Sequence, residues 1–126
     1  MPQNEPRELT AIREASQGLE YPSESDTPFD AFHWEAKPGQ SLEQLIAAHA
    51  SAGRRIDEVS TDAFFKPLDQ TDDAEQYRAL RKVLEINLLR LQTFRVGVDE
   101  VEVDVYLLGP AKCGGIIGLH TTSIET

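Results

Sequence analysis

A change in hydrophobic period near residue 91 constrains the fold of this chain more than any other feature. From about Asp73 to Leu91, apolar side chains recur every three or four residues, as they do on one face of a helix. The following segment, TFRVGVDEVEVDVYLLG, is apolar at every second position from Val101 to Leu107. The pattern predicts a long amphipathic helix, then a β-hairpin that turns at Asp99-Glu100 and has one buried face and one acidic outer face.

Shorter elements of both kinds precede this helix. Spacing and capping residues predict helices over residues 5–18 and 41–53, the second of which begins with a capping box of Ser41 and Gln44. Aromatic content predicts a strand from Phe29 to Ala36, and RRIDEV reads as a short strand before a helical turn that ends near Pro67. A final strand follows the glycine-rich turn GPAKCGG. Since no repeat or composition break divides the chain, we expect one domain, residues 1–126, of the α+β class, with helices packed on an antiparallel sheet.

Net charge narrows the range of partners. The chain carries 22 acids against 12 lysines and arginines, which gives a formal net charge of −10. Acids concentrate in two stretches, Glu14 to Glu35 and Asp57 to Glu75, where Lys66 is the one Lys or Arg. Nucleic acids and anionic membranes are bound through clustered cations, so we expect neither as a direct ligand. The acidity suits a basic protein partner, although it also serves solubility alone.

The chain has no features of an exported or membrane-spanning protein. No apolar run approaches the roughly 18 residues of a membrane span, and the N-terminal MPQNEPRELTAIRE lacks a basic start and an apolar core. The single cysteine, Cys113, excludes an internal disulfide and fits a reducing compartment. We therefore expect a cytoplasmic protein.

Catalytic and metal-binding motifs have little support. His33, His49 and His120 fall in three different predicted elements without the spacing of zinc ligands, which favours structural or surface roles. Cys113 follows Lys112 in a glycine-rich turn, so a reactive thiol with His120 as its base is the remaining enzymatic hypothesis. The same glycines suit a plain turn. We expect a protein that is not an enzyme and that needs no cofactor or metal ion of its own.

The loop YPSESDTPF is the most unusual acidic segment. Pro22 and Pro28 bracket two serines and two carboxylates, those of Glu24 and Asp26, and so restrict the loop before it binds anything. A plain turn, a metal site, a catalytic acid and a surface that binds another protein's site all remain open on composition alone. In the predicted hairpin, Glu102 and Asp104 lie two residues apart on one strand and are expected to face solvent together.

The order of several motifs resembles the nuclease A inhibitor family. These motifs are YPSESDTPFDAFHWE, then STDAFF, the long amphipathic helix, VEVDVYLLG and the terminal GIIGLHTTSIET. The resemblance extends from about Leu9 to Thr126, and its most specific parts are SES followed by PFDAFHWE, and VEVDVYLLG. It implies a three-layer α/β/α sandwich around a mostly antiparallel sheet. An alternative within the same fold is a divergent acidic domain that binds a different basic protein.

The resemblance also implies a partner and a binding site. Members of this family inhibit sugar-non-specific ββα-metal nucleases, so the expected partner is such a nuclease in a one-to-one complex. The implied partner-binding residues are Ser23, Glu24, Ser25, Asp26 and Thr126. Glu24 would reach the divalent cation in the nuclease active site, and the C-terminal carboxylate of Thr126 would support it. Trp34 lies in a matching motif, but its position in a strand favours a core role.

Overall fold

The structure, a computed structural model, describes residues 5–50, 53–112 and 114–125. Within these residues the α-helices are α1 (Arg7–Ser16), α2 (Leu42–His49), α3 (Thr61–Phe65) and α4 (Ala74–Asn87), and a 3₁₀ helix (Lys66–Gln70) continues α3. The strands are β1 (Glu20–Tyr21), β2 (Thr27–Pro28), β3 (Asp30–Trp34), β4 (Ile56–Val59), β5 (Gln92–Val96), β6 (Glu102–Pro110) and β7 (Ile116–Ile124). None of the helices in these ranges is long and apolar enough to cross a bilayer.

Five of the strands form one antiparallel sheet in the order β3-β7-β6-β5-β4. Strands β6 and β7 pair over nine residues each, from Glu102 opposite Ile124 to Pro110 opposite Ile116. Strand β3 is shorter and pairs with β7 only from Ile116 to His120. Strands β1 and β2 form a separate antiparallel hairpin. The sheet therefore leaves the last residues of β7 without a strand partner on the β3 side.

Helices cover both faces of this sheet. On one face, α1, α3 and α4 bury apolar side chains against the sheet residues Val105, Leu107, Ile117 and Leu119. On the other face, Leu45 and Ile46 of α2 pack against a second cluster, which contains Phe94, Val96, Tyr106, Leu108 and Ile116. Both cores are almost fully buried. The protein is therefore an α/β/α sandwich of the α+β class, as the resemblance implied.

The predicted long helix forms but ends earlier than expected. Its period predicted an end near Leu91, whereas α4 ends at Asn87 and Leu88 is extended. Leu88 forms an isolated bridge with Ala111, and the Leu89 N–H donates to the Pro110 carbonyl at 2.8 Å. The chain leaves the helix because the sheet offers these backbone partners, while Leu88 stays buried as its period predicted.

The hairpin that turns at Asp99-Glu100 was predicted to have one buried and one acidic face, and this prediction is wrong for β6. Tyr106 and Leu108 share the supposed outer face with Asp104, yet they are 6% and 0% exposed. Since α2 and its neighbours pack on that face, β6 is buried on both sides along much of its length. Glu102 is exposed as predicted, but Asp104 is half-buried, forms an ion pair with Arg54 and is hydrogen-bonded to His120.

Local capping predictions hold for α2 and need one change for α3. The Ser41 side chain accepts from the Gln44 N–H at 3.1 Å, and the Gln44 side chain accepts from the Ser41 N–H at 2.9 Å, which completes the capping box. After α3 the helical path continues through Pro67 as the 3₁₀ helix, where the proline occupies the first turn. Proline is accepted there because its missing N–H would have no intrahelical partner.

Candidate functional site

The β1–β2 hairpin presents the acidic loop at the surface. Two short strands pair Glu20 with Pro28 and Tyr21 with Thr27, which leaves residues 22–26 as the hairpin loop. Glu24, Ser25 and Asp26 are exposed at its tip, whereas Ser23 is half-buried. The hairpin loop therefore displays two carboxylates to solvent on a closed turn.

Backbone and side-chain bonds fasten the hairpin loop to the end of β7. The Glu24 N–H donates to the Ile124 carbonyl at 3.2 Å, and the Ile124 N–H donates to Ser23 Oγ at 3.0 Å. Ser23 Oγ in turn donates to the Ser25 carbonyl within the loop at 2.7 Å. Glu24 thus has a hydrogen-bonded backbone and an exposed side chain.

A pair of threonines makes a second attachment. Thr27 Oγ1 lies 3.0 Å from Thr121 Oγ1 and also contacts the Thr122 carbonyl. Thr121 is 2% exposed, and its hydroxyl lies 3.0 Å from the Pro28 carbonyl. These contacts join β2 to the part of β7 that β3 leaves unpaired.

Of the residues that the resemblance implied, Thr126 lies outside the described residues. Its neighbour Glu125 is held in place: its N–H donates to the Val101 carbonyl at 2.7 Å, and its carboxylate accepts from Ser123 Oγ at 2.9 Å and from Arg95. The structure therefore brings Ser23 and Glu24 against Ile124, two positions before Thr126 in the sequence.

An acidic concavity adjoins the hairpin loop. It is lined by Glu20, Asp26, Asp72 and Asp73 around Tyr77, whose hydroxyl donates to the Glu20 carbonyl. Burial, and then the negative charges of Asp73 and Asp26, raise the pKa of Tyr77 to about 12. Four carboxylates thus line the concavity, and the described residues of its lining include no Lys or Arg. The sequence shows both acidic stretches, but it does not show that they lie side by side in the fold. That proximity depends on how α4 packs beside the hairpin.

The three histidines occupy separate settings. His33 Nε2 lies 3.2 Å from the Gly114 carbonyl, and the His49 ring stacks on Trp34 with 3.9 Å between ring centres. His120 donates to Asp104 at 2.7 Å. Within the described ranges, no group of three or more His, Cys, Asp or Glu side chains is arranged to hold a metal ion. Cys113, on which the thiol hypothesis depends, lies outside those ranges.

Asp104 is a half-buried carboxylate on the α2 side of the sheet. It accepts from His120, from Arg54 and, at 3.4 Å, from Thr122 Oγ1. Burial by itself raises the pKa of Asp104, but the hydrogen bonds from His120 and Arg54 outweigh burial and hold the pKa below its ordinary value. These partners occupy the carboxylate, so we interpret it as part of the scaffold.

Comparison with known proteins supports the resemblance seen in the motifs. The family model described as nuclease A inhibitor-like protein matches residues 7–126. No curated protein matches the chain. The matched region contains the hairpin loop, the acidic concavity and all the strands of the sheet. Since the match covers nearly the whole chain, this protein belongs to the nuclease A inhibitor-like family.

Proposed function

We propose that this protein is a stoichiometric inhibitor of a sugar-non-specific nuclease of the ββα-metal class and forms a one-to-one complex with it. The observation that carries the proposal is the exposed Glu24 carboxylate, which stands on a hairpin loop whose backbone is bonded to β7. Membership of the nuclease A inhibitor-like family supports a nuclease as the target of that carboxylate. On this proposal the whole chain acts as one binding domain without a catalytic centre or cofactor of its own.

The chemistry of such a target suits a carboxylate. Nuclease sites that process polyanions combine basic side chains with a divalent cation such as Mg²⁺, which takes oxygen ligands and usually keeps several waters. A carboxylate oxygen of Glu24 would occupy the place of a phosphate oxygen without offering a bond to cleave. Ser25, Asp26 and the terminal Thr126 would complete the contact around it.

Charge would assist the encounter as well as the contact. The acidic concavity beside the hairpin loop adds Glu20, Asp72 and Asp73 to the two loop carboxylates. A negative surface facing a basic cleft raises association rates at low salt and disfavours partners of the same sign. The protein would act in the cytoplasm, where it would protect the cell's nucleic acids from a nuclease before export.

Titration of a ββα-metal nuclease at two salt concentrations tests the proposal. We expect complete inhibition at one equivalent, and a rise in Kd of about 30-fold or more for Glu24→Gln, because the cation would lose a charged ligand. Glu43→Gln, which removes an exposed carboxylate on α2, is the matched control and should leave Kd unchanged. Absence of inhibition at micromolar protein contradicts the proposal for that nuclease. Equal affinity of Glu24→Gln and the unaltered protein contradicts the role of Glu24.

A second candidate keeps the fold and changes the partner. The acidic concavity would suit a basic protein of any kind, since nothing in its lining is specific to a nuclease. On this reading the chain binds a basic protein other than a nuclease. Recovery of a single non-nuclease partner from the native host, together with a failed nuclease titration, would favour it.

A further inference from the structure

The free edge of β7 determines where the hairpin loop attaches. Strand β7 has nine residues, but β3 pairs with it only as far as His120. Beyond that point Thr122 and Ile124 direct backbone groups towards the side that β3 has left. The Thr122 carbonyl contacts Thr27, and both backbone groups of Ile124 bond to Ser23 and Glu24. The hairpin loop therefore takes the place of the missing strand along this edge, which also protects the edge from pairing with other chains.

The hydroxyl of Ser23 stands in for a backbone carbonyl in this arrangement. In a regular ladder the Ile124 N–H would donate to a strand carbonyl, but here it donates to Ser23 Oγ. A serine hydroxyl has one proton, and Ser23 gives it to the Ser25 carbonyl. Both of these bonds lie within the protein and adjoin Glu24. The Ser23 hydroxyl is therefore already engaged before any partner binds.

Thr27 and Thr121 form a chain of hydroxyls with limited freedom. Each hydroxyl carries one proton, so at most two of three contacts are hydrogen bonds at one time: Thr27 to the Thr122 carbonyl, Thr121 to the Pro28 carbonyl, and one hydroxyl to the other. Every such pair of bonds ties β2 to β7. Thr121 is buried, so water cannot easily replace its partners.

We propose that Ser23, Thr27 and Thr121 are positioning residues, which fix the backbone of the hairpin loop and thereby the direction in which Glu24 is presented. This inference rests on the proposed inhibitory function and assigns Ser23 a role different from direct contact with the nuclease. A loop that is ordered in the free protein loses less conformational entropy when it binds. The three hydroxyls would therefore strengthen binding without touching the partner.

Amide hydrogen exchange in the free protein tests the positioning role without any nuclease. The Glu24 and Ile124 amides should be protected, and Thr121→Val should speed their exchange about tenfold or more because the hydroxyl attachment is lost. Thr121→Ser, which keeps the hydroxyl, should restore protection. Thr93→Val is the matched control, since Thr93 is also buried and its hydroxyl lies 2.9 Å from that of Thr61. Unchanged exchange of both amides in Thr121→Val overturns the inference.

Binding measurements separate positioning from direct contact. Against a nuclease that the protein inhibits, Thr121→Val and Ser23→Ala should raise Kd about three- to tenfold, whereas Thr93→Val should change it less than twofold. In a Glu24→Gln background the same substitutions should have little further effect, because there is no carboxylate left to position. Equal losses for Thr121→Val and Thr93→Val, or an undiminished effect in the Glu24→Gln background, overturn the inference. If Glu24→Gln itself binds normally, the role proposed for Glu24 fails, while the exchange result still decides whether these hydroxyls fix the loop.

Discussion

Arg54 illustrates how single side chains hold this scaffold together. Its guanidinium donates to Glu100 at 3.0 Å, to Asp104, and to the carbonyls of Val96 and Glu102 at 3.2 and 3.0 Å. The hydrogen bond to Asp104, followed by that to Glu100, raises the pKa of Arg54 above its ordinary value. One cation thus joins the start of β4 to the β5–β6 turn, where several backbone acceptors would otherwise need water.

We expect Asp104→Asn to lower the free energy of unfolding at pH 7 by about 1–3 kcal/mol, because charge-assisted hydrogen bonds are lost. The pKa of Asp104 is lowered in the folded protein from the ordinary value of 3.8. Its contribution is therefore present above pH 3.8 and is lost as the pH falls from 3.8 through the lower folded-state pKa. Denaturant titrations from pH 2 to 7 should show the two proteins converging at the acid end. A gap that stays constant across this range would contradict the assignment.

Gly109 is required by a close backbone contact. A Cβ at this position would lie 1.8 Å from the Arg90 carbonyl oxygen, where the chain passes from α4 to the sheet. We expect Gly109→Ala to destabilise the protein by about 3 kcal/mol or more, since backbone must move to make room. Gly39→Ala, which has open space but a φ of +80°, should cost only about 1 kcal/mol. Thermal unfolding of both variants measures the difference, and equal losses would show that the contact relaxes easily.

At the scale of elements, α2 alone supports one face of the sheet among the described helices. Ile46 is 0% exposed, and His49 stacks on Trp34, which is the single tryptophan of the chain. We expect Ile46→Ala to cost about 2–4 kcal/mol through the cavity it leaves. Ala47→Gln on the exposed side of α2 should change stability by less than about 0.5 kcal/mol.

Trp34 fluorescence provides the measurement for this prediction. Because the indole stacks between His49 and Phe32, loosening of α2 should shift its emission to longer wavelength before the whole protein unfolds. If Ile46→Ala unfolds in a single fluorescence transition, with the same free energy of unfolding as the unaltered protein, the view that α2 supports this face is contradicted.

Elements with a clear period were predictable, and those without one were not. Most side chains at the repeats that predicted α4 and β6 are buried. The exceptions are Val101, which precedes β6 and is 57% exposed, and Leu91, which is partly buried. The end of α4 depends on the bridge between Leu88 and Ala111, a tertiary contact that leaves no mark in the local pattern. Strands β1 and β2 have two residues each, too few to show alternation. The burial of Tyr106 and Leu108 results from the packing of α2 on that face, which the pattern of the strand alone does not indicate.

At the scale of the whole molecule, charge is distributed unevenly. Arg78 and Arg81 of α4 form ion pairs with Asp69 and Asp62 on the neighbouring helical segment. Among the described ion pairs, none includes the four acids of the acidic concavity. Their charge is available to a partner, while much of the remaining charge is balanced within the protein.

We therefore expect acids near the hairpin loop to control association with a basic nuclease. The double variant Glu20→Gln, Asp72→Asn should slow association about threefold or more at 0.15 M salt, and the effect should shrink as salt rises. The control variant Glu35→Gln, Glu43→Gln removes the same charge elsewhere: Glu35 follows Trp34, which pairs with Ile116 at the other end of β7, and Glu43 lies on α2, on the opposite face of the sheet from α4. Its effect should be much smaller, because the length of β7 or the thickness of the sheet and its helices separates these acids from the acidic concavity by more than the roughly 8 Å screening length. Stopped-flow association rates decide between them, and equal effects would contradict local steering.

The exposure of Glu24 agrees with the sequence prediction, whereas its attachment was not foreseeable. The bracketing prolines indicated a restricted acidic loop, and that loop is closed and exposed. The bonds from Ser23 and Thr27 to β7 involve common polar residues far apart in the chain, and such residues carry no periodic signal. For the same reason the sequence could not show that Asp72 and Asp73 lie beside Asp26.

The attachment of the hairpin loop to β7 has a consequence for the order of folding. Its hydrogen bonds join residues 93 to 101 positions apart, so they close among the longest loops available to this chain. Contacts of such high sequence separation form late, because the entropy of closing the intervening chain is lost before they contribute. Glu24 is made early during synthesis, but Ile124, which bonds its backbone, is made much later, so we expect the hairpin loop to be fixed only once β7 is in place. A nascent chain that ends before β7 would carry the Glu24 carboxylate but would lack the hydrogen bonds that fix its direction.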